Sequence, residues 1–209
     1  MKKVVMLLTT WGVVSLLLCG FRIVTKEEFK QLQTPESPLL SQIAEIFDRD
    51  LTGQLRDSAT DIDDLIELFS DPNADFGQLC TQYGYRQSPD IQCNFPVKLK
   101  GQIKSVNTQS RRGTLSVTTP KGAEVKVKIG PVVGDTALRD VLKSVSYLDF
   151  NDQTVYGEFG EKINAYCLKK LEGKAFEPGE SIEVLGAFSS WDVPGSPSMI
   201  QIAPAELNK

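Results

Sequence analysis

The fold of this chain is decided by residues 129–156, IGPVVGDTALRDVLKSVSYLDFNDQTVY, where predicted strands give way to predicted helices. Gly130-Pro131 ends a strand, because proline has no N–H group to donate to a neighbouring strand. Asp135 or Thr136 can cap the N–H groups at the start of the helix that follows. The apolar residues of that helix recur at positions i, i+3, i+4 and i+7: Leu138, Val141, Leu142 and Val145. The stretch therefore predicts an amphipathic helix that packs against another element.

Strands are predicted on both sides of this stretch, because apolar and polar side chains alternate there as they do in half-buried antiparallel strands. Three strands precede it and two follow it, with inward-facing residues Val97, Leu99, Ile103, Leu115, Val117, Val125, Val127, Ile129, Ile182, Val184, Ile200, Ile202 and Leu207. Three strands, a helical insertion and two strands are the order of an OB-type barrel. We expect such a five-stranded barrel, with the helix of residues 129–156 plugging one end. A second inserted helix is predicted at about residues 155–171, and it places Cys167 in the core.

The preceding part of the chain has the periodicity of helices. Three apolar stripes recur at helical spacing: Leu40, Ile43, Phe47 and Leu51; Ile62, Leu65, Ile66 and Phe69; and Phe76, Leu79, Cys80 and Tyr83. The predicted fold class is therefore α+β, in three parts. These are a membrane anchor at residues 1–22, a small helical domain at residues 23–92 and the OB-like barrel at residues 93–209.

The first 22 residues have the features of an export signal. Lys2 and Lys3 precede an uncharged apolar run at residues 4–21, which is just long enough to cross a membrane as a helix. The lysine pair keeps the N-terminus in the cytoplasm, so the folded part is expected in the cell envelope, on the periplasmic side of the cytoplasmic membrane. Cys19 is a candidate for lipidation, although Leu18 directly before it is bulkier than a lipoprotein signal prefers. A retained helix and a lipid are the two alternatives for the anchor.

Composition excludes several classes of function. The chain has 23 basic and 27 acidic residues, and it lacks the clustered basic surface that binds nucleic acid. It contains no histidine, which removes histidine-based triads and zinc sites. Its four cysteines lack the C-x-x-C spacing of a zinc or redox motif. We expect no metal, no cofactor, no nucleic-acid partner and no catalytic residues.

Two of the cysteines, Cys80 and Cys93, bracket the change from helical to strand periodicity. They are close enough along the chain to form a disulfide in the oxidising environment outside the cytoplasm. Cys80 also lies on an apolar stripe, so a pair of buried thiols is the alternative. Spacing alone does not decide between the two.

A candidate contact surface lies in the link between the two inserted helices. Asp149, Phe150, Gln153 and Tyr156 stand there, in a segment that mixes aromatic residues with acids and amides. Such a link is either a structural corner, whose polar groups satisfy turn N–H groups, or a surface for a ligand or partner. Trp191 lies in a second, turn-rich loop, where an aromatic residue either binds a ligand or packs back on the barrel.

The chain resembles an uncharacterised bacterial family of predicted periplasmic lipoproteins. The resemblance rests on residues 21–24, 101–114, 129–156, 184–188 and 201–207, which include FRIV, GQIKSVNTQSRRGT, VLGAF and QIAPAEL. It implies a small helical domain followed by an OB-like domain, and no known enzymatic activity. Members are often encoded near sugar importers of the ABC type, which implies an envelope role beside such an importer. Where the family has its lipid-bearing cysteine this chain has Phe21, two residues after Cys19.

These observations favour a non-catalytic, membrane-anchored extracytoplasmic protein that binds an envelope protein, such as an importer component. An alternative is a receptor that holds a small molecule or carbohydrate on the barrel face near Trp191 and Tyr156. A third hypothesis is a hydrolase that uses carboxylates such as Asp149, Asp152 and Glu158. The residues themselves identify no substrate.

Overall fold

The computed structural model of the protein describes residues 37–150, 152–193 and 196–209, and residues 37–209 form one compact unit. The predicted membrane anchor, with Cys19, lies outside the described residues, as does the beginning of the predicted helical domain. Among the helices that are described, none is long and apolar enough to cross a membrane.

A nearly continuous helical segment opens the described chain. It consists of α1 (Pro38–Ser41), α2 (Ile43–Glu45), a π-helical turn (Ile46–Leu51) and α3 (Thr52–Ser58). In the π-helical turn the backbone N–H of Thr52 reaches the carbonyl of Phe47, five residues back. The hydroxyl of Thr52 donates to the same carbonyl at 2.8 Å, and this second bond supports the widened turn.

Two further helices precede the barrel: α4 (Ile62–Phe69) and α5 (Phe76–Tyr83). Each begins at an aspartate cap, since Asp61 accepts from the N–H of Asp63 and Asp75 accepts from the N–H of Gln78. α4 is also fastened to the sheet, because the carboxylate of Asp63 accepts from the hydroxyl of Thr119 at 2.5 Å. Asp61 therefore caps the start of α4, and Asp63 attaches this helix to the sheet.

Within the described residues six strands form one sheet: β1 (Thr60–Asp61), β2 (Cys93–Asn107), β3 (Thr114–Thr118), β4 (Glu124–Lys128), β5 (Ser181–Ser190) and β6 (Gln201–Asn208). The strand order is β1–β2–β3–β4–β6–β5, and β5 also pairs with β2. Strands β2 to β6 have the connectivity of an OB-type barrel, while β1 adds two residues parallel to β2. β4 and β6 run parallel and share only two residue pairs, so the barrel is partly open at that seam.

One apolar cluster fills the barrel. Its strand residues are Phe95, Val97, Leu99, Ile103, Leu115, Val117, Val125, Val127, Ile182, Val184, Phe188, Ile202 and Leu207. Leu65 and Phe69 of α4 and Leu79 of α5 belong to the same cluster. The barrel core is therefore completed by helices that come before the barrel in the chain.

The predicted plug packs elsewhere. Only one helical turn, α6 (Ala137–Asp140), forms in the first half of residues 129–156. The apolar residues of this stretch are buried in a second cluster, together with three alanines of β5 and β6: Leu138, Val141, Leu142, Val145, Ala187, Ala203 and Ala205. The plug prediction is wrong because β5 and β6 are apolar on both faces, and the small alanines let the segment lie against the face opposite the barrel core.

The second inserted helix is confirmed as α7 (Gln153–Leu171), which buries Phe159 and Ile163. A 3₁₀ turn (Tyr147–Asp149) precedes α7, and another (Pro197–Met199) precedes β6. Cys167 lies in the core as predicted, as a free thiol that donates to the carbonyl of Pro204.

The helices of residues 37–92 share both apolar clusters with the barrel. The π-helical turn and α3 pack in the second cluster, and α4 and α5 pack in the first. β2 begins at Cys93, so the predicted boundary at residues 92/93 marks the change from helix to strand. That change lies inside one compact unit, because the helices bury their apolar stripes against the sheet and its inserted helices.

Candidate ligand-binding groove

An open groove of about 510 Å³ lies where the segment before β2, α6, the start of α7 and the end of β5 meet. Its walls combine aromatic, amide and charged side chains: Gln87, Ser88, Ile91, Gln92, Asn94, Arg139, Asp140, Tyr147, Gln153, Tyr156, Gly157 and Trp191. Small-molecule sites typically have volumes of about 300–1,000 Å³. The groove is therefore the right size for a small organic ligand.

Arg139, Asp140 and Tyr156 are interlocked in the groove. The carboxylate of Asp140 accepts from Nε of Arg139 at 2.7 Å, from the hydroxyl of Tyr156 at 3.2 Å and from that of Thr136 at 2.5 Å. The guanidinium carbon of Arg139 lies 3.8 Å from the centre of the Tyr156 ring, a cation–π contact. Only 12% of the Arg139 side chain and 22% of the Asp140 side chain are exposed. The two charges therefore compensate each other, and their positions are set before any ligand arrives.

The ring of Tyr156 forms a fixed aromatic wall. Its centre lies 5.5 Å from that of Tyr147 and 5.2 Å from that of Phe150. Burial raises the pKa of the Tyr156 hydroxyl, and the adjacent carboxylate of Asp140 raises it further. At neutral pH the hydroxyl is therefore protonated, donates to Asp140 and keeps acceptor capacity for a ligand.

A disulfide holds the opposite wall. Cys80 of α5 and Cys93 of β2, the pair singled out from the sequence, are joined with their Cα atoms 5.9 Å apart. The loop that the bridge closes supplies four groove residues: Gln87, Ser88, Ile91 and Gln92. Gly84 lies against the bridge, and a side chain there would collide with the sulfur of Cys93.

Amide groups line this wall and the start of α7. Two hydrogen bonds hold the side chain of Gln87 in place. Its Oε1 accepts from the N–H of Tyr147 at 3.4 Å, and its Nε2 donates to the carbonyl of Val145 at 3.4 Å. Within the described part of the chain, the side-chain amides of Gln92 and Gln153 have no hydrogen-bond partner. Both are therefore available to donate to and accept from a ligand.

The structure brings together three of the five residues proposed as a contact surface. Gln153, Tyr156 and Trp191 line the groove, and Trp191 is 62% exposed. Asp149 does not line it, because its carboxylate accepts from the N–H of Ser146 at 2.6 Å and closes a capping box around the 3₁₀ turn. Phe150 is buried in the second apolar cluster. The link is therefore a structural corner whose far side forms a groove wall.

Arg139, Asp140 and the amides of residues 87–94 were not predicted as site residues. The sequence does contain a signal for Arg139 and Asp140, since these adjacent opposite charges lie between the apolar residues Leu138 and Val141. A signal for the amides of Gln87 and Gln92 is also present, because the segment RQSPDIQ lies inside the predicted disulfide loop and has no helical or strand periodicity. Nothing in the sequence indicated that these segments meet.

The carboxylates of the hydrolase hypothesis have local roles. Asp152 caps α7 by accepting from the N–H of Thr154 at 2.5 Å, and this bond lowers the pKa of Asp152. Glu158 pairs with Lys162, one helical turn away, at 3.4 Å. Neither these residues nor Asp149 line the groove, and the described residues contain no cluster of three side chains able to hold a metal ion.

The chain was compared with known proteins. A family model described as "Predicted periplasmic lipoprotein (DUF2291)" matches residues 11–208, which confirms the resemblance read from the sequence. The fold is similar to the crystal structure of an OB-fold protein from Thermotoga maritima MSB8, with a TM-score of 0.59 and 11% identity over 81% of this chain and 97% of that chain. No curated protein matches the chain. At that identity the structural likeness supports the OB-type fold alone.

Proposed function

The chain belongs to the family of predicted periplasmic lipoproteins, and on that premise we propose that it is a tethered, non-catalytic binding protein of the cell envelope. Its ligand in this proposal is an uncharged, hydroxyl-rich small molecule of the saccharide class. The site is the groove formed around Tyr156.

The observation that carries this proposal is the pairing of aromatic rings with free amides. Tyr147, Tyr156 and Trp191 line the groove together with Gln92 and Gln153. An aromatic face packs well against the C–H groups of a sugar ring, and an amide both donates to and accepts from neighbouring hydroxyls. A groove with apolar faces and a few placed polar groups is the usual form of a small-molecule site.

Charge favours a neutral ligand. The described groove residues include one cation, Arg139, and one anion, Asp140, and these two are paired at 2.7 Å. A charged ligand would have to break this pair or remain uncompensated, and leaving a half-buried charge without its partner is costly.

The same arrangement supports a non-catalytic role. Asp140 is the carboxylate among the described groove residues, and its two oxygens accept from Arg139, Tyr156 and Thr136. Hydrolysis of a glycosidic bond commonly uses two carboxyl groups on opposite sides of that bond. The groove offers one such group, and that group is already engaged.

The tether in this proposal is the N-terminal segment. Lys2 and Lys3 and the apolar run of residues 4–21 support a membrane helix with the folded part outside the cytoplasm. Cys19 supports a lipid as the alternative. Fractionation of cells separates a tethered chain from a soluble one, and acyl labelling that disappears in Cys19→Ser would identify a lipid.

A second candidate ligand is an envelope protein, such as an importer component. Two apolar side chains close to the groove favour it, since Leu148 is 88% exposed and Met199 is 68% exposed. Exposed apolar residues next to a concave surface are common in protein interfaces. Recovery of importer proteins with the wild type, and their loss with Leu148→Ser, would support this candidate.

The saccharide proposal is tested by isothermal titration calorimetry of the detergent-solubilised protein with neutral mono- and oligosaccharides. We expect saturable binding by the wild type and a loss of about tenfold or more in affinity for Trp191→Ala, because aromatic anchors carry much of the binding energy of a site. Gln153→Ala should also weaken binding, because it removes one of the free amides of the groove. Its control is Gln109→Ala, since Gln109 is an exposed amide outside the groove. Absence of binding by the wild type across the panel would refute the saccharide class.

A further inference from the structure

A second, smaller pocket of about 160 Å³ is lined by the segments around β4 and before α6. We call it the basic pocket, and its lining residues are Arg112, Thr114, Lys128, Val132, Gly134, Asp135 and Gln201. Its volume is below the roughly 300–1,000 Å³ of sites for drug-sized ligands. The basic pocket therefore has room for an ion or a small group.

The basic pocket contains more positive than negative charge. The ammonium of Lys128 pairs with the carboxylate of Asp135, and only 10% of the Lys128 side chain is exposed. Burial, and after it the positive charge of Arg112, lowers the pKa of Lys128 to about 8. Arg112 thus lies close enough for its charge to act on Lys128. The basic pocket therefore contains two cations, Arg112 and Lys128, and one carboxylate, Asp135.

Gly134 leaves room for the side chain of Arg112 in the basic pocket, because glycine has no side chain of its own. The guanidinium of Arg112 lies over Gly134, where a Cβ atom would be 2.9 Å from Nε and 3.0 Å from Cζ of Arg112. Among the described residues, no ion pair or side-chain hydrogen bond involves this guanidinium. Its N–H donors are therefore free.

We propose that the basic pocket binds a phosphate group, either as the free oxyanion or as part of a larger molecule. The planar fork of Arg112 matches two oxygens of such a group, and the ammonium of Lys128 adds a second positive donor. The hydroxyl of Thr114 and the amide of Gln201 supply neutral donors. Asp135 repels the anion but leaves one of the two cations uncompensated, and the anion balances it.

The test is thermal unfolding of the full-length protein in detergent at pH 7 and fixed ionic strength. One series contains inorganic phosphate, and another contains glycerophosphoglycerol, the water-soluble headgroup of an anionic lipid. A bound ligand raises Tm in a saturable way. We expect this rise in the wild type and in Arg111→Gln, and about a tenfold or greater loss of apparent affinity in Arg112→Gln, because a bidentate charged contact disappears. Arg111 is a matched control, since both arginines are exposed and only Arg112 lines the pocket.

A second variant moves the guanidinium without removing it. Gly134→Ala pushes Arg112 aside and should weaken phosphate binding, whereas Gly53→Ala, which has open space at its Cβ position, should not. A larger rise in Tm with inorganic phosphate assigns the basic pocket to a free oxyanion. A larger rise with glycerophosphoglycerol assigns it to a lipid headgroup. The proposal is overturned if neither probe gives a saturable response, or if Arg112→Gln responds like the wild type. Trp191→Ala should keep the response, so this test does not depend on the saccharide proposal.

Discussion

The groove and the basic pocket lie at opposite ends of one short segment, Asp135 to Asp140, and they handle charge differently. At the groove end Asp140 pairs with Arg139, and the cation also covers the ring of Tyr156. At the pocket end Asp135 pairs with the buried Lys128, and a second cation, Arg112, lines the same pocket. In the two proposals made above, this difference in charge balance sets the ligand class. The balanced groove is proposed to take a neutral ligand, and the unbalanced pocket an anion.

The disulfide should have the largest effect, and of the two sites it should alter ligand binding only at the groove. Cys80→Ser with Cys93→Ser opens a loop whose closure is worth about 3 kcal/mol in the chain-entropy model. We expect a lower Tm and weaker saccharide binding, because the wall with Gln87 and Gln92 loses its constraint. Phosphate binding at the basic pocket should persist at temperatures where the protein is folded. Equal weakening of both ligands would show that the bridge supports the whole unit.

Replacing Arg139 should have the second-largest effect on stability. Arg139→Met strands the partly buried carboxylate of Asp140 and removes the cation from the Tyr156 ring, at an expected cost of about 2 kcal/mol in unfolding free energy. Lys128→Met should cost less, because it also removes a buried charge that the charge of Arg112 opposes. Urea unfolding of the two variants measures the difference. Equal costs would contradict the contrast between balanced and unbalanced sites.

The pH dependence of stability should report on the charge balance at the pocket end. The pKa of Lys128 is about 8 when folded and 10.5 ordinarily, so the unfolded state holds more protons between these values and stability rises with pH. Burial raises the pKa of Cys167 to about 12 from 9.0, so stability falls with pH above 9. The window for Lys128 is therefore pH 8 to 9. There the wild type should gain up to about 1 kcal/mol relative to Lys128→Met. A flat difference would show that the ion pair with Asp135 holds the proton.

Asp149 should have the smallest effect. Asp149→Ala removes the cap on an exposed 3₁₀ turn and should cost about 0.5 kcal/mol in stability, while saccharide affinity stays unchanged. Gln153→Ala should do the reverse, with unchanged Tm and weaker binding. A thermal scan and a titration of each variant separate a structural corner from a groove wall.

Strand periodicity predicted the barrel, because an alternating pattern such as that of Val125 and Val127 fixes which side chains face one side. The pattern could not tell whether the apolar residues of 138–145 pack inside the barrel or in the second cluster, since β5 and β6 are apolar on both faces. Helical spacing predicted a helix that continues to Val145, whereas α6 ends at Asp140. Asp140 accepts from Thr136 and Arg139 at this turn, and helical spacing alone does not reveal such local bonds.

The candidate site was only partly predictable for a different reason. Tyr156 and Gln153 were found because they stand in a link whose composition is unusual. Gln87 and Arg139 are 52 positions apart and meet only through the fold, which no local pattern encodes. Trp191 was found as an aromatic residue in a loop. That it lines the same groove as Tyr156 depends on where β5 ends, which the sequence did not show.

The central claim, that the groove holds an uncharged saccharide against Tyr156 and Trp191, is tested most directly by fluorescence. The chain has two tryptophans, so in Trp11→Phe the emission comes from Trp191. We expect a saturable change in emission with at least one neutral saccharide, a weaker response to the corresponding uronic acid, and a lower apparent affinity in Gln153→Ala. No saturable change with any neutral saccharide, or a stronger response to the charged form, would contradict the claim.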